Sequence, residues 1–247
     1  RLKNLPVIRQ YEPGSLFKVL LAAATLESEK YDGSQTYYCS GFTPDLGGQP
    51  LHCWEEKGHG TTGLTRMVSH SCNIAAARFA LLIGAEHYHD FLRKLGLGQC
   101  TGIGLPGEVP GALRGVEEMR MRDLANLGFG QGVSVTDIQM LSAICAVSNG
   151  GMLMQPHIVR AVMDAQTNQP VEEIEPLVLG QVCSPETSER VRDMMQATVD
   201  EGTGALAAID GLRVGGKTGT AQKWLQEEGG FVEGRNIVSF VMVAPLE

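Results

Sequence analysis

The chain has 247 residues, 43% hydrophobic and 19% charged, enough apolar material for one large domain or two lobes sharing a cleft. Its formal net charge is −8 and no Lys/Arg cluster stands out, which argues against nucleic acid as a partner. The longest apolar stretches, at residues 74–84 and 237–245, are too short or too interrupted to span a bilayer.

Pro13-Gly14 closes an extended entry segment. The spacing of Leu16, Val19, Leu20 and Ala23 then predicts a helix over 15–29, with Ser15 in its first turn. A helix start presents unpaired N–H groups and favours developing negative charge. Residues 31–62 are polar, rich in Gly and Pro, and hold Cys39, His52, Cys53 and His59; they read as a long loop or a pair of short strands. Loops of this length are uncommon unless functional or pinned. Residues 65–84 follow a helical pattern that breaks near Ser71 to Asn73, and 86–95 read as an amphipathic helix ended by Gly96. The Gly/Pro-rich 98–115 contains Gly102-Ile103-Gly104-Leu105-Pro106-Gly107, a formal G-x-G-x-x-G. No strand precedes it, and Pro106 and Pro110 prevent the helix start that a dinucleotide site needs, so it reads as a surface loop. Residues 124–132 lead into a helix over 135–148, capped by Asn149-Gly150-Gly151. A strand at 159–163, a turn at Asn168-Gln169-Pro170, a helix over 185–200 and a loose small-residue segment at 202–211 follow. Residues 214–224 and 236–244 read as a hairpin around a polar loop at 226–234. No leader is visible at Arg1-Leu2-Lys3-Asn4, and 240–245 read as a strand cut short, so the chain reads as a trimmed piece.

Three short motifs carry chemistry: Ser15-Leu16-Phe17-Lys18, Ser71-Cys72-Asn73 and Lys217-Thr218-Gly219. About one S-x-x-K arises by chance in a chain of this size. Order, spacing and flanks supply the specificity. A serine hydroxyl is a poor nucleophile until a base takes its proton, and Lys18 lies one helical turn from Ser15. A lysine becomes a base only when its pKa falls, through burial or a neighbouring cation such as Lys217. Lys217 also suits a substrate carboxylate, with Thr218 and Thr220 as hydrogen-bond donors, and the backbone N–H groups of Ser15 and Thr220 suit an oxyanion.

These residues resemble the transpeptidase domain of class B penicillin-binding proteins, in the superfamily that also holds the serine β-lactamases. The resemblance rests on Tyr11-Glu12-Pro13-Gly14-Ser15-Leu16-Phe17-Lys18, Gly58-His59-Gly60, Ser71-Cys72-Asn73, Gly128-Phe129-Gly130-Gln131-Gly132 with Thr136-Asp137-Ile138-Gln139, and Gly216-Lys217-Thr218-Gly219-Thr220-Ala221. It covers almost the whole chain. It implies an α/β (α+β) fold, a helical lobe beside an antiparallel sheet flanked by helices, with residues 1–247 forming one incomplete transpeptidase domain. Outer sheet strands, an N-terminal pedestal and a membrane anchor are expected in the family and absent from this sequence. The implied activity is peptidoglycan D,D-transpeptidation at the extracytoplasmic face of the bacterial cytoplasmic membrane. Ser15 attacks stem peptides ending in D-Ala-D-Ala, and β-lactams acylate it. Lys18 is the implied base, Ser71 relays protons or orients Lys18, Asn73 contacts the acyl-side amide, and Lys217, Thr218, Gly219 and Thr220 form the carboxylate-binding strand. A glycosyltransferase of the cell-wall synthesis complex is the implied protein partner. The alternatives are a penicillin-sensing receptor domain and a serine β-lactamase. Class A β-lactamases use an added glutamate to activate water; Glu108, Glu117 and Glu118 follow the second motif without the expected context.

Acyl transfer itself needs no cofactor, but Cys39, Cys53, His59 and Cys72 lie within 34 residues and make a Cys₃His set suited to tetrahedral zinc. Some elongation-type relatives hold zinc near this motif through a Gly-His-Gly histidine and a cysteine in the S-x-N position, which His59 and Cys72 match. A Cys39–Cys53 disulfide is the alternative in an oxidising setting, and idle thiols the third reading. Cys145 reads as core; Cys100 and Cys183 have no evident partner. His87 and His89 read as surface residues and His157 as the start of a strand.

Overall fold

A computed structural model describes residues 3–46, 50–225 and 230–246. Its centre is the run Phe-Lys-Val-Leu-Leu-Ala-Ala-Ala-Thr-Leu, which has no polar face and therefore stays folded only when surrounded. The short α1 (Leu5–Ile8) precedes it. That central helix, α2 (Phe17–Leu26), buries nine of its ten residues, Lys18 included. Each large apolar side chain buried this way stabilises the fold by about 1.5–3 kcal/mol.

The loop after α2 contains four short strands, β1 (Tyr37–Cys39), β2 (Phe42–Thr43), β3 (Leu51–His52) and β4 (Gly60–Thr62), paired antiparallel as β1 with β4 and β2 with β3. The predicted helix with a break is two helices, α3 (Leu64–Ser69) and α4 (Asn73–Ile83). Ser71 sits between them with φ 57°, a left-handed conformation that costs a non-glycine residue energy. Cys72 caps α4 by accepting the Ala75 N–H. Helices α5 (Ala85–Lys94), α6 (Met121–Leu127) and α7 (Asp137–Ser148) follow. Thr136 and Gln139 form a reciprocal capping box at the start of α7.

Strands β5 (Met152–Met154), β6 (Ala161–Met163), β7 (Pro170–Glu173) and β8 (Val178–Gln181) then pair β5–β8 and β6–β7, both antiparallel. Helix α8 (Pro185–Asp200), N-capped by Ser184, packs on the last hairpin, β9 (Gly215–Leu225) with β10 (Gly230–Val243). These helices and small antiparallel sheets form the mixed architecture that the sequence predicts. α2 touches α3, α4, α5, α7 and α8, so Lys18 is held at the middle of the helical packing.

Several local expectations change. Ser15 lies in a 3₁₀ turn, Gly14–Leu16, ahead of α2, and Gly14 enters that turn at φ 55°. The second hairpin strand is longer than expected, 14 residues, and the pairing carries an irregular register between Phe231 and Asn236; part of the predicted loop, 226–229, lies outside the described residues. Cys145 is exposed rather than core. His87 is half-buried, its Nε2 paired with the Ala24 carbonyl, and His157 lies outside any strand.

Candidate active site and Cys/His cluster

The serine turn is wedged between two distant segments. Gly14 donates its N–H to the Gly130 carbonyl at 3.1 Å. A Cβ on Gly130 would stand 2.2 Å from the Gly14 oxygen, and one on Gly14 would meet the Thr220 carbonyl at 2.9 Å. Only glycine permits this approach at both positions. Glu12 adds a second tie by accepting the Gly132 N–H at 2.9 Å, and burial raises its carboxyl pKa.

Around Ser15 the structure brings the three motifs together. Lys18 Nζ is fully buried and lies 3.0 Å from Ser15 Oγ, 3.1 Å from Ser71 Oγ, 2.7 Å from the Ser71 carbonyl and 2.7 Å from Asn73 Oδ1. Four oxygens exceed the three protons of an ammonium. A neutral amine instead gives its two N–H groups to the closest acceptors, the Ser71 carbonyl and Asn73 Oδ1. Its lone pair is then left for a serine O–H. Burial lowers the Lys18 pKa from its ordinary value to about 8, with the Cys72, Cys53 and Cys39 sulfurs pulling the other way. Burial is therefore the first cause that makes Lys18 a base.

Lys217 is also buried; its Nζ donates to Ser71 Oγ at 3.1 Å and to the Thr218 carbonyl at 3.0 Å. Its pKa falls well below the lysine norm through burial first and repulsion from Lys18 second. Ser71 Oγ thus lies within hydrogen-bond distance of both lysines and bridges them. Ser15, Ser71, Asn73, Thr218 and Thr220 all line one cleft of about 380 Å³, together with Gly14, Trp54, Phe129, Gln131, Thr203 and Ala221. Gly219 lies behind that surface: a Cβ there would reach Ser239 Oγ at 2.4 Å and the Leu16 side chain at 2.9 Å. The cleft holds a nucleophile, an amine base, a bridging hydroxyl and hydroxyl donors on one strand, the groups that acyl transfer needs.

Two cleft residues escape sequence reading. Trp54 donates its indole N–H to the carbonyls of His70 (3.2 Å) and Ser71 (3.0 Å) while its ring stays exposed to the cleft. Its position between Cys53 and His59, inside a loop already expected to be pinned, is the signal that points to it. Thr203 follows α8 in a stretch of small residues with no motif to mark it.

The chain matches the family model for the penicillin binding protein transpeptidase domain over residues 1–247. The protein belongs to that family. Among relatives of this penicillin-binding transpeptidase domain, stage V sporulation protein D of Bacillus subtilis is 40% identical over 245 residues, covering 99% of this chain and 38% of the relative. Penicillin-binding protein PbpB of Mycobacterium tuberculosis is 35% identical over 233 residues, 90% of this chain and 33% of the relative. The crystal structure of penicillin binding protein 3 from Mycobacterium tuberculosis complexed with aztreonam superposes with a TM-score of 0.89 at 32% identity, covering 100% of this chain and 56% of that one. The domain therefore spans between a third and three fifths of the length of these relatives.

Beside the cleft, Cys39, Cys53, His59 and Cys72 are all buried, and one donor atom from each lies within 4.8 Å of the others. Cys39 and Cys53 Sγ stand 3.7 and 3.5 Å from His59 Nδ1. Tetrahedral zinc with bonds of ~2.0–2.3 Å sets its ligands about 3.3–3.8 Å apart, so three sulfurs and an imidazole at this spacing fit it. A hydrogen bond from Cys72 is the main cause that lowers the Cys53 thiol pKa, while that of Cys72, as its donor, is raised. The cluster touches the second motif directly. The Asn73 N–H points to Cys53 Sγ at 3.4 Å, and Cys72 lies inside the motif.

Proposed function

We propose that this domain is a peptidoglycan D,D-transpeptidase that works through a Ser15 acyl-enzyme. The observation that carries the reading is the convergence of Ser15, Ser71 and Asn73 on Lys18, an amine whose pKa burial lowers to about 8. Ser15 Oγ attacks the penultimate D-Ala carbonyl of a stem peptide as its proton passes to Lys18. The C–N bond then breaks, and the terminal D-Ala leaves with a proton delivered through Ser71. An acceptor amine attacks the resulting ester, gives up its proton along the same path and returns Ser15 to the hydroxyl form. Asn73 Oδ1 is occupied by Lys18, which aims its amide N–H₂ toward the acyl-side amide of the donor. Thr218 and Thr220 hold the substrate carboxylate beside Lys217. A β-lactam presents the same acyl group and carboxylate and stays attached to Ser15.

The same reading places the protein outside the cytoplasm on an anchored chain, with a glycosyltransferase partner supplying the glycan strands. No helix among the described residues is long and apolar enough to cross a membrane. The buried Cys₃His cluster supports a structural zinc ion held by Cys39, Cys53, His59 and Cys72. Such an ion joins the long loop to the Ser71–Asn73 segment and takes no part in acyl transfer.

Fluorescent penicillin tests this reading. Ser15 should take up one label per chain and hold it over hours, Ser15→Ala should take up none, and a D-Ala-D-Ala donor with an added amine should yield cross-linked product. Rapid loss of label points to a β-lactamase, and stable label without peptide turnover to a sensor domain. No carboxylate is among the described residues lining the cleft, and Glu108 is engaged by Thr101 and Gly102. Both observations support slow hydrolysis.

A further inference from the structure

We infer that Thr203 is a positioning residue that fixes the Thr218 hydroxyl as a hydrogen-bond donor to the substrate carboxylate, an inference that rests on the acyl-transfer reading above. The two hydroxyl oxygens are 2.9 Å apart, and both residues are half-buried in the cleft wall. Each hydroxyl has one proton to give and two lone pairs to receive. Which oxygen donates to the other decides whether Thr218 still has a proton to offer a ligand.

The surroundings answer that question. The Ser69 carbonyl already accepts the Thr203 N–H at 3.0 Å, and it stands 3.5 Å from Thr203 Oγ1. At 3.5 Å that carbonyl competes poorly with an oxygen at 2.9 Å. The Thr203 proton therefore goes to Thr218. Lys217 Nζ gives its short hydrogen bonds to Ser71 Oγ and the Thr218 carbonyl and only grazes the same Thr218 oxygen at 3.5 Å. With Thr203 donating to it at 2.9 Å, Thr218 Oγ1 is an acceptor on the protein side, and its own proton is left for the cleft. An anion is the ligand that a hydroxyl arranged this way favours.

Thr203 cannot drift to another arrangement, because its backbone is pinned on both sides. A Cβ on Gly202 would stand 2.2 Å from the Ser69 carbonyl oxygen, and Gly204 donates its N–H to the Thr198 carbonyl at 2.9 Å. The loop after α8 thereby ties the end of α3, two residues before Ser71, to the third motif on β9. Small residues in this segment are required by the close approach.

The test uses this chain and two ligands, a penicillin with a free carboxylate and its methyl ester, and reads the second-order rate constant of Ser15 acylation. Thr203→Val should lower the rate for the free acid by about tenfold, the scale of one hydrogen bond to a charged group, and leave the ester's rate unchanged. Thr203→Ser should restore the rate for the acid, and Thr203→Val should add nothing in a Thr218→Val background. Thr203→Ala, which adds no branched carbon, carries the same expectation and gives an independent replacement. Equal losses for acid and ester, or additive losses in the double variant, overturn the inference while leaving acyl transfer standing. A parent chain that neither ligand acylates overturns both.

Discussion

Raising the pH from 7 to 9 should speed Ser15 acylation by about tenfold and then bring it to a plateau. The base form of Lys18 is the neutral amine, and burial lowers its pKa from 10.5 to about 8. At pH 7 about one molecule in eleven then carries the base, and at pH 9 about ten in eleven. An ordinary lysine would be neutral in only about three molecules in ten thousand at pH 7, and its rate would climb nearly a hundredfold over the same interval without bending. The shift corresponds to about 3 kcal/mol, which the native state loses below pH 8 by keeping an ammonium in a buried site. The sign for stability follows. Between about 8 and 10.5 the unfolded chain binds more protons at this position, so this group's contribution rises with pH and is least favourable below 8. Single-turnover stopped-flow labelling with a fluorescent penicillin from pH 6 to 10 gives the profile directly. A flat profile, or a hundredfold rise with no bend before pH 9.5, would refute the assignment of a desolvated Lys18 as base.

Three further perturbations probe the framework around that lysine. Gly130→Ala places a methyl 2.2 Å from the Gly14 oxygen at φ 77°, so it should cost about 2–4 kcal/mol, visible as a lowered Tm, and slow acylation through the displaced serine turn. Trp54→Phe removes the indole N–H from the Ser71 carbonyl while keeping an aromatic face; acylation should slow by about three- to tenfold with the Tm nearly unchanged. Metal analysis of protein purified without chelator should find one zinc per chain, lost on Cys72→Ser. Absence of metal together with a thiol count two short of six would show a disulfide instead.

What could be read in advance depended on how local its cause was. The Ser15–Lys18 pair follows from one helical turn of spacing, and the Cys₃His set from a loop too long to stand unpinned. Thr203 and Trp54 have no such local cause: each matters because of an oxygen presented by a segment brought beside it only by folding. The desolvation of Lys18 is similar, since the apolar run of α2 hints at burial but the surrounding helices complete it. Helix α6 escapes sequence reading because seven residues, whose start is marked only by Asp123 accepting the Arg120 backbone N–H, leave little periodicity to detect. β5 and β8 escape sequence reading for a related reason: three- and four-residue strands that pair with each other show no clear alternation.

The wedge at Gly14 also makes the reactive turn depend on distant parts of the chain. The turn that carries the nucleophile lies near the beginning of this sequence, and it is completed by Gly130 and by Thr220, the latter on the penultimate strand. Without those contacts α2 has no finished shell to bury Lys18, and an unburied lysine keeps its proton and leaves Ser15 an ordinary alcohol. Reactivity is a property of the closed fold rather than of any motif, and an incomplete chain does not expose an activated serine.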